Sequence, residues 1–500
     1  MSHTDLAQYA LDVATGLGAG YADARLIVSR EQAIVTRNGE VATLIDAESA
    51  GIGIRVIVSD SGGRSAGGGA WGFSSTSELT RPAVEAAART AVAVARASAM
   101  AQRMPLVLAP QPPIVDDWTS PTLRDPFEVS LDERIAVLMS ADEAMRRVAG
   151  VSLARGYLSF TRLDKIFVNS AGARIRQRLT YSGAGCDATS FEGGEIQKRS
   201  YPNSFGGQHQ LKGYELIDEL DLPGHARRIG EEAVALHAAV QCPSTTTTLI
   251  LDGSQLGLQI HESIGHAIEL DRMLGYEANY AGTSFLTPSM LDRFEYGSPV
   301  VTVVADATIA HGPGLGTFAY DDEGVPAQSV PIIRAGRLTG LLTSRETAPS
   351  IGLGASGGAM RADGWNRIPL IRMTNVSLLP DPQGPATLDD LIADTVDGVY
   401  METNRSWSID DKRLHFQFGT EIGWEIKNGR RGRLLKNPSY GGITPSFWQS
   451  CDAVCGPASW TLWGTPNCGK GQPPQTIGTG HGASPARFRR VDVGVAYDAG

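Results

Sequence analysis

The alternation of hydrophobic and polar residues predicts two long hairpins in the first half of the chain. The first spans ADARLIVSREQAIVTRNGEVATLIDAESAGIGIRVIVSD, where apolar and polar residues alternate around an Asn38-Gly39 turn. The second spans YLSFTRLDKIFVNSAGARIRQRLTYSGAGCDATSFEG, around a turn of small residues. A period of two indicates strands with one buried face, and Asn-Gly is a strong hairpin signal. The shared pattern suggests that the two segments are versions of one structural unit.

Helical patterns accompany both hairpins. The N-terminal segment MSHTDLAQYALDVATGLGAGYADARL predicts an amphipathic helix that ends at Gly18 and Gly20. After the first hairpin, TRPAVEAAARTAVAVARASAMAQR has Thr80 as candidate N-cap and Pro82 in the first turn. Another helix is expected near PGHARRIGEEAVALHAAV, after the second hairpin. The proline-rich segment VLAPQPPIVDDWTSPTLRDP between the two units indicates a linker.

From about Thr245 onward the pattern changes to short β-like runs. Examples are PVVTVVAD, SVPIIRAGRLTGLLTS and LHFQFGTEIGWEIKNGR, separated by glycine and proline. A chain of 500 residues is too long for one core. We therefore predict an α+β fold in which N-terminal units of antiparallel sheets and helices precede a β-rich domain. The predicted divisions are an N-terminal domain at residues 1–112, a central domain at 113–242 and a C-terminal domain at 243–500 that carries one marked helix.

Composition and charge exclude several classes of partner. Hydrophobic residues make up 42% and charged residues 20% of the chain, as in an ordinary globular protein. The net charge of −10 argues against binding to nucleic acid or anionic membranes, which requires a basic face. The first residues lack a signal-peptide pattern, and no stretch approaches the roughly 20 apolar residues of a membrane span. Five cysteines do not make a disulfide framework, so we expect a cytoplasmic protein.

Candidate chemistry is concentrated in ILDGSQLGLQIHESIGHAIELDR. TTTTLIL, Thr245 to Leu251, has the composition of a strand, and a helix is expected to follow with Asp252 or Ser254 as N-cap. On that helix, His261, Glu262 and His266 form His-Glu-x-x-x-His, one residue longer than the His-Glu-x-x-His of many zinc peptidases. The motif predicts a zinc site, although an ordinary polar helix face would contain the same residues.

The spacing of the two histidines has a structural consequence. In a straight helix their Cβ atoms would lie roughly 10 Å apart, against about 6 Å for residues four apart. Two imidazoles could barely reach one zinc ion, whose bonds to nitrogen are about 2.1 Å long. A π-bulge would bring residues five apart into line, and Gly265 would make such a distortion inexpensive. We therefore predict a helix that is bulged or bent near Gly265. Glu269, on the same side, is either a partner that orients a histidine or a surface carboxylate.

A third metal ligand must come from elsewhere, because two histidines alone do not make a stable zinc site. Cys468, in TPNCGKGQP after a tight turn, is a candidate, as are Cys451 and Cys455. Alternatively, Cys451, Cys455, Cys468 and His481 form a closed, structural four-ligand zinc site. The residues by themselves leave both alternatives open.

Several segments in the same order resemble the TldD/PmbA family of metallopeptidases, in its metal-bearing TldD-like branch. They are NGEVATLIDAESAGIGIRVIV and GFSST near the N-terminus, then LQIHESIGHAIELD, YDDEGVPAQSVPIIRAGRLTGLLTSRETA, IPLIRMTNVSLLP and NCGKGQP. By position, the resemblance implies zinc bound by His261, His266 and Cys468, with Glu262 as the catalytic base. Cys451, Cys455 and His481 are outside the metal pattern of the family.

The resemblance also implies a function. It implies a cytoplasmic zinc metallopeptidase that hydrolyses short or unfolded peptides and can mature ribosomally made modified peptides. The implied assembly is a homodimer, or a heterodimer with a PmbA-like subunit. Two other classes of function stay open: a non-catalytic peptide-binding subunit, and a zinc amidohydrolase that acts on a non-peptide amide.

Overall fold

The fold combines helices with four β-sheets. The computed structural model describes residues 2–58, 69–102 and 106–495. Within these ranges the strands form two eight-stranded sheets, one six-stranded sheet and one two-stranded sheet. The predicted α+β class is therefore confirmed.

The two long hairpins form the first eight-stranded sheet. Its strands are β1 (Tyr21–Arg37), β2 (Glu40–Val58), β3 (Ala70–Thr76), β4 (Val115–Thr119), β5 (Val151–Asn169), β6 (Arg174–Glu192), β7 (Glu195–Tyr201) and β8 (Gln208–Gln210). Their order is β3-β2-β1-β5-β6-β4, and β7 and β8 also pair with β6. The turn between β1 and β2 is the predicted one, with positive φ at Asn38 (48°) and Gly39 (85°). Because β1 pairs with β5, the two hairpins lie side by side in one sheet.

The helices of this half cover one face of the first sheet. They are α1 (His3–Gly16), α2 (Arg81–Ala99), α3 (Leu131–Arg146), α4 (Glu215–Leu220) and α5 (Leu222–Ala238). The Thr80 hydroxyl accepts a hydrogen bond from Ala83 N, which confirms the predicted N-cap of α2. Leu26 of β1 belongs to the core under α1 and α2, and Ile34 of β1 to the core under α3 and α5. Residues separated by an even number share a face of a strand, so both cores lie on the same side of the sheet.

The proline-rich segment expected to be a linker also contains a strand. Residues 115–119 form β4, which pairs in parallel with β6 at the edge of the sheet. The prediction of a simple linker was wrong because the side chains of an edge strand are largely solvated, so its composition resembles that of a loop. The division between residues 112 and 113 stays a prediction, and strands from both sides of it share the first sheet.

The C-terminal half contains the other three sheets. The second eight-stranded sheet has the order β17-β10-β24-β20-β18-β19-β9 with β21 paired to β24, the six-stranded sheet has the order β13-β12-β11-β16-β23-β22, and β14 pairs with β15. These strands are β9 (Val240–Gln241), β10 (Thr245–Leu251), β11 (Val303–Asp306), β12 (Ser329–Arg334), β13 (Arg337–Leu338), β14 (Met360–Arg361), β15 (Leu370–Ile371), β16 (Asn375–Leu378), β17 (Asp397–Ile409), β18 (His415–Lys427), β19 (Arg430–Lys436), β20 (Pro438–Ile443), β21 (Cys451–Val454), β22 (Thr461–Lys470), β23 (Gln475–Ala483) and β24 (Ala486–Val495).

The motif helix is enclosed between these C-terminal sheets. The helices here are α6 (Gly253–Ile260), a π-helical segment (His261–Gly265), α7 (Leu270–Met273), α8 (Leu388–Ala393) and α9 (Thr444–Gln449). Every residue of α6 and of the π-helical segment is buried, and α6 contacts β17 on one side and β22 and β23 on the other. The two sheets therefore hold the motif in a fixed position. Among the described residues, none of the helices combines the length and apolar character needed to cross a membrane.

Candidate metal centre

Two histidines and a cysteine converge in the C-terminal half. His261 and His266 follow α6, and Cys468 belongs to β22. Their ligand atoms lie within 4.8 Å of one another, and all three residues are buried. Cys468 Sγ is 3.7 Å from His266 Nε2. The corresponding separation in a tetrahedral zinc site, with bonds of about 2.3 and 2.1 Å, is roughly 3.5 Å. The two imidazoles and the thiol therefore form a donor set that fits zinc.

The helix widens at the position that the sequence predicts. Residues 261–265 are π-helical, and His266 N donates to His261 O at 3.2 Å, a bond between residues five apart. The rings of the two histidines are consequently 4.9 Å apart between centroids. The predicted bulge is confirmed, although the structural requirement for Gly265 is different from the one expected. A Cβ atom on Gly265 would lie 2.0 Å from Met373 Sδ, so the glycine is needed for close packing against that side chain.

His481 determines which nitrogen of His261 faces the other ligands. Nδ1 of His481 is 3.0 Å from Val376 O, and a carbonyl can only accept, so this nitrogen carries the hydrogen. Nε2 of His481, 2.8 Å from His261 Nδ1, then accepts a hydrogen bond from His261. This chain of bonds leaves Nε2 of His261 free to bind a metal. Burial keeps the pKa of both imidazoles below its ordinary value, which favours the neutral forms that this arrangement requires.

Glu269 orients the ring of His266 in the same way. Its Oε2 atom accepts a hydrogen bond from His266 Nδ1 at 3.0 Å, and this leaves Nε2 directed toward Cys468. The orienting contact suggested for Glu269 is therefore present, and the carboxylate is fully buried instead of lying on the surface. A carboxylate paired in this way fixes the tautomer of a ligand histidine and raises its basicity.

A buried cluster of charges surrounds Glu269. Lys470 Nζ lies 3.2 Å from Glu269, 2.9 Å from Asp271 and 3.2 Å from Glu277, and Arg272 pairs with Glu277 at 2.6 Å. Burial would raise the pKa of Glu269, but Lys470 and then His266 outweigh it and hold that pKa far below its ordinary range. Lys470 was not identified from the sequence. The available signal was the period of two in a strand, which puts residue 470 on the same face as Cys468.

A second cation lies beside Cys468. Arg372 is fully buried, and one of its N–H groups donates to Cys468 O, whereas Nε and Nη1 have no hydrogen-bond partner. Burial alone would raise the pKa of the Cys468 thiol, but Arg372 and His266 outweigh it and lower that pKa. A thiolate is the form that binds zinc, so the surroundings of Cys468 favour a metal ligand.

The four-ligand structural site is absent from the described part of the chain. The thiol of Cys455 donates to Thr387 O at 3.3 Å, and the thiol of Cys451 points to Ala453 O at 3.8 Å. His481 is hydrogen-bonded to His261. The group of potential ligands that includes Cys468 contains neither Cys451 nor Cys455. Burial raises the pKa of Cys451 and Cys455, the latter to about 11, so both thiols stay neutral. This alternative was wrong.

Glu262 follows His261 directly in the π-helical segment and pairs with a cation. Its Oε2 atom is 2.7 Å from Arg413 Nη1, and the two side chains are 9% and 13% exposed. Glu262 is thus close to His261 along the helix and remains slightly accessible. Arg413, at the turn between β17 and β18, was not identified from the sequence, because a turn arginine 151 residues from the motif has no local signal.

Comparison with known proteins identifies the family. Three models of PmbA/TldA metallopeptidase domains match the chain: domain 1 at residues 22–95, the central domain at 124–237 and the C-terminal domain at 244–494. A metalloprotease of Methanothermobacter thermautotrophicus is 30% identical over 477 residues, which is 95% of each chain. A zinc metalloprotease TldD homolog of Saccharolobus solfataricus is 27% identical over 41% of this chain and 43% of its own.

A solved structure shares the fold. It is a Thermotoga maritima protein described as a proposed modulator of a DNA gyrase. It has a TM-score of 0.75 and 17% identity, and the match covers 98% of this chain and 100% of that chain. This similarity shows a common fold. It does not show a common activity, which depends on the residues of the site.

Proposed function

The chain belongs to the TldD/PmbA family of metallopeptidases, and from that premise we propose that it is a zinc peptidase of short or unfolded peptides. The observation that carries the proposal is the convergence of His261, His266 and Cys468, with Glu262 next to His261 in the π-helical segment. The name of the Saccharolobus solfataricus relative, a zinc metalloprotease, supports the choice of metal. Maturation of ribosomally made modified peptides is part of the same proposal.

The proposed roles follow from the chemistry of the residues. Zinc, when bound, supplies a Lewis acid that polarises a carbonyl and makes water a better nucleophile near neutral pH. Glu262 accepts a proton from the water whose oxygen attacks the carbonyl carbon, and the π electrons of the carbonyl move to its oxygen. Glu262 then gives that proton to the amide nitrogen as the C–N bond breaks. The products are a carboxyl group and an amine.

Substitution of Glu262 tests the proposal. Glu262→Gln keeps the three ligands and removes the base, so we expect the zinc content to stay near one per chain while peptide turnover falls about 10²-fold or more. Metal analysis and digestion of an unstructured peptide would be run on the same samples. Glu295→Gln is a matched control, because Glu295 is an exposed glutamate paired with Arg337. Full activity of Glu262→Gln would refute the assigned base.

The two alternative classes of function give different results in the same assay. A non-catalytic peptide-binding subunit would bind the peptide without cleaving it, and chelation would change nothing. An amidohydrolase would cleave small non-peptide amides and leave unstructured peptides intact. Chelator-sensitive cleavage of peptides therefore separates the proposed function from both.

A further inference from the structure

Arg413 is a cation beside the proposed base that has unused hydrogen-bond donors. A guanidinium has five N–H groups, and the described contacts of this one are with Glu262 through Nη1. Its Nε atom is buried and has no hydrogen-bond partner. Glu262, which Arg413 contacts, is the residue directly after His261 in the π-helical segment. Because the side chain is 13% exposed, the Nη donors that Glu262 does not use are available to a bound substrate.

The backbone holds Arg413 in a defined position. Arg413 has a φ of 63°, a left-handed conformation that is uncommon for a residue other than glycine. Its carbonyl accepts from the Thr444 hydroxyl at 2.8 Å, and its N–H donates to Asp410 O at 2.9 Å. The neighbouring carbonyls of residues 411 and 412 accept from the N–H groups of residues 283 and 285. The turn is thus anchored from two directions, and such positions are frequent at functional sites.

Two other cations near the site, Lys470 and Arg372, are less suited to contact a substrate. Lys470 is fully buried, and its three N–H donors face three carboxylates. Arg372 is also fully buried. The Arg413 side chain is 13% exposed, so part of it can be reached by a molecule that enters the site.

We propose that Arg413 is a catalytic residue that donates an N–H group to the carbonyl oxygen of the scissile bond as negative charge develops there. The inference rests on the proposed peptidase function. Glu262 holds the guanidinium by one nitrogen, so the remaining donors are fixed before the substrate arrives. A preorganised, charged donor stabilises a developing oxyanion more than it stabilises the neutral carbonyl of the bound peptide.

A double-substitution experiment separates this role from simple positioning of Glu262. We expect Arg413→Ala to lower kcat about 10²- to 10³-fold, with zinc content unchanged. If Arg413 acted through Glu262 alone, adding Arg413→Ala to Glu262→Gln would cause no further loss, and the proposal would be overturned. We expect the double variant to fall at least about tenfold below Glu262→Gln. Arg433→Ala is the matched control, because Arg433 is an exposed arginine paired with Glu425.

A binding measurement keeps the test independent of turnover. A phosphinic analogue of an alanine tripeptide carries a negatively charged oxygen where the carbonyl oxygen of the substrate would be. Calorimetry on zinc-loaded protein that carries Glu262→Gln, so that the tripeptide is not cleaved, should show that adding Arg413→Ala weakens this analogue about 10²-fold while the tripeptide itself binds nearly as before. Arg413→Lys should retain part of the affinity, and guanidinium ion should restore part of the activity of Arg413→Ala. Equal weakening of analogue and peptide would overturn the proposal, whereas inactivity of the zinc-loaded wild type would refute the peptidase function itself.

Discussion

At the residue scale, each candidate ligand has a neighbour that prepares it for a metal. His481 and Glu269 set the tautomers of the two histidines, and Arg372 favours the thiolate of Cys468. Partners of this kind commonly change metal affinity about 10- to 100-fold when they are substituted. The site therefore includes residues outside the ligand set.

The first prediction at this scale concerns the cysteines. Cys468→Ala should remove zinc and activity together, because two histidines alone make a weak site. Cys451→Ala and Cys455→Ala should leave both nearly intact, since the hydrogen bonds of these thiols go to main-chain carbonyls away from the candidate ligands. Metal analysis should find about one zinc per wild-type chain. Similar loss of zinc in all three variants would contradict the assignment.

The second prediction concerns His209, a residue outside the metal centre. Burial lowers the pKa of His209 from 6.5 to about 4. As the pH falls, His209 is therefore protonated near pH 6.5 in the unfolded chain but only near pH 4 in the folded chain. The neutral form stabilises the fold above pH 6.5, and this contribution is lost as the pH falls toward 4. We expect His209→Gln to reduce the loss of stability between pH 7 and 5 by about 1 kcal/mol, allowing for partial solvent screening. Urea unfolding of the wild type and His209→Gln at each pH would measure the free energy of unfolding. Parallel pH profiles of the two proteins would contradict the prediction.

At the scale of the element, the π-helical segment makes an otherwise unsuitable spacing usable. One extra residue in a turn brings His266 into line with His261, and the surrounding sheets hold the widened turn. Gly265 allows Met373 to pack directly against this turn. The element thus depends on its tertiary neighbours as well as on its own residues.

Gly265 and Met373 give the prediction at this scale. Gly265→Ala should destabilise the protein by about 1–3 kcal/mol and weaken zinc binding, because the new methyl group displaces Met373. Met373→Ala alone should be destabilising through the lost packing. Combined with Gly265→Ala, however, it should restore part of the zinc affinity, since the collision is gone. Chelator competition and thermal unfolding would measure the two effects. Additive losses in the double variant would mean that the two residues do not interact.

At the scale of the whole molecule, the described chain consists of a helix-covered sheet and a C-terminal part whose two larger sheets contact the candidate metal centre. Ion pairs of the buried Arg199 join these parts: it contacts Glu232 in the first part and Glu402 and Glu421 in the second. Removal of one partner from such a pair leaves a buried charge uncompensated. The pair of Arg199 with Glu421, which is buried on both sides, therefore links the two parts in a place that water screens little.

The prediction at this scale concerns assembly. We propose that the protein works as a dimer in the cytoplasm, homomeric when the chain is expressed alone or heteromeric with a PmbA-like subunit. An enclosed dimer would limit the access of folded proteins to the peptidase site, and two-fold pairing is the commonest symmetry of oligomers. Light scattering at micromolar concentration should report a particle of twice the 53.0 kDa chain mass. A particle of one chain mass under those conditions would contradict the expectation.

The sequence by itself determined the features that depend on neighbouring residues. The two hairpins, the Asn38-Gly39 turn, the N-cap at Thr80 and the strand at Thr245 to Leu251 all follow from local periodicity and backbone stereochemistry. The widened turn at Gly265 follows from the spacing of two histidines on one helix. Such interactions act over a few residues, so a short segment contains the information that specifies them.

Only the tertiary structure decided which distant residues meet. The four-ligand alternative failed because β21 and β22 belong to different sheets, although their cysteines are close in sequence. Three residues that contact the motif helix lie more than 140 residues from it in sequence: His481, Lys470 and Arg413. Strand pairing and a turn bring them to it. A strand period shows which side chains share a face, but it does not specify the partner strand or its register. The partner strand and the register depend on the packing of the whole core. The sequence could therefore single out Cys468 as the third metal ligand only through the resemblance of the chain to a family.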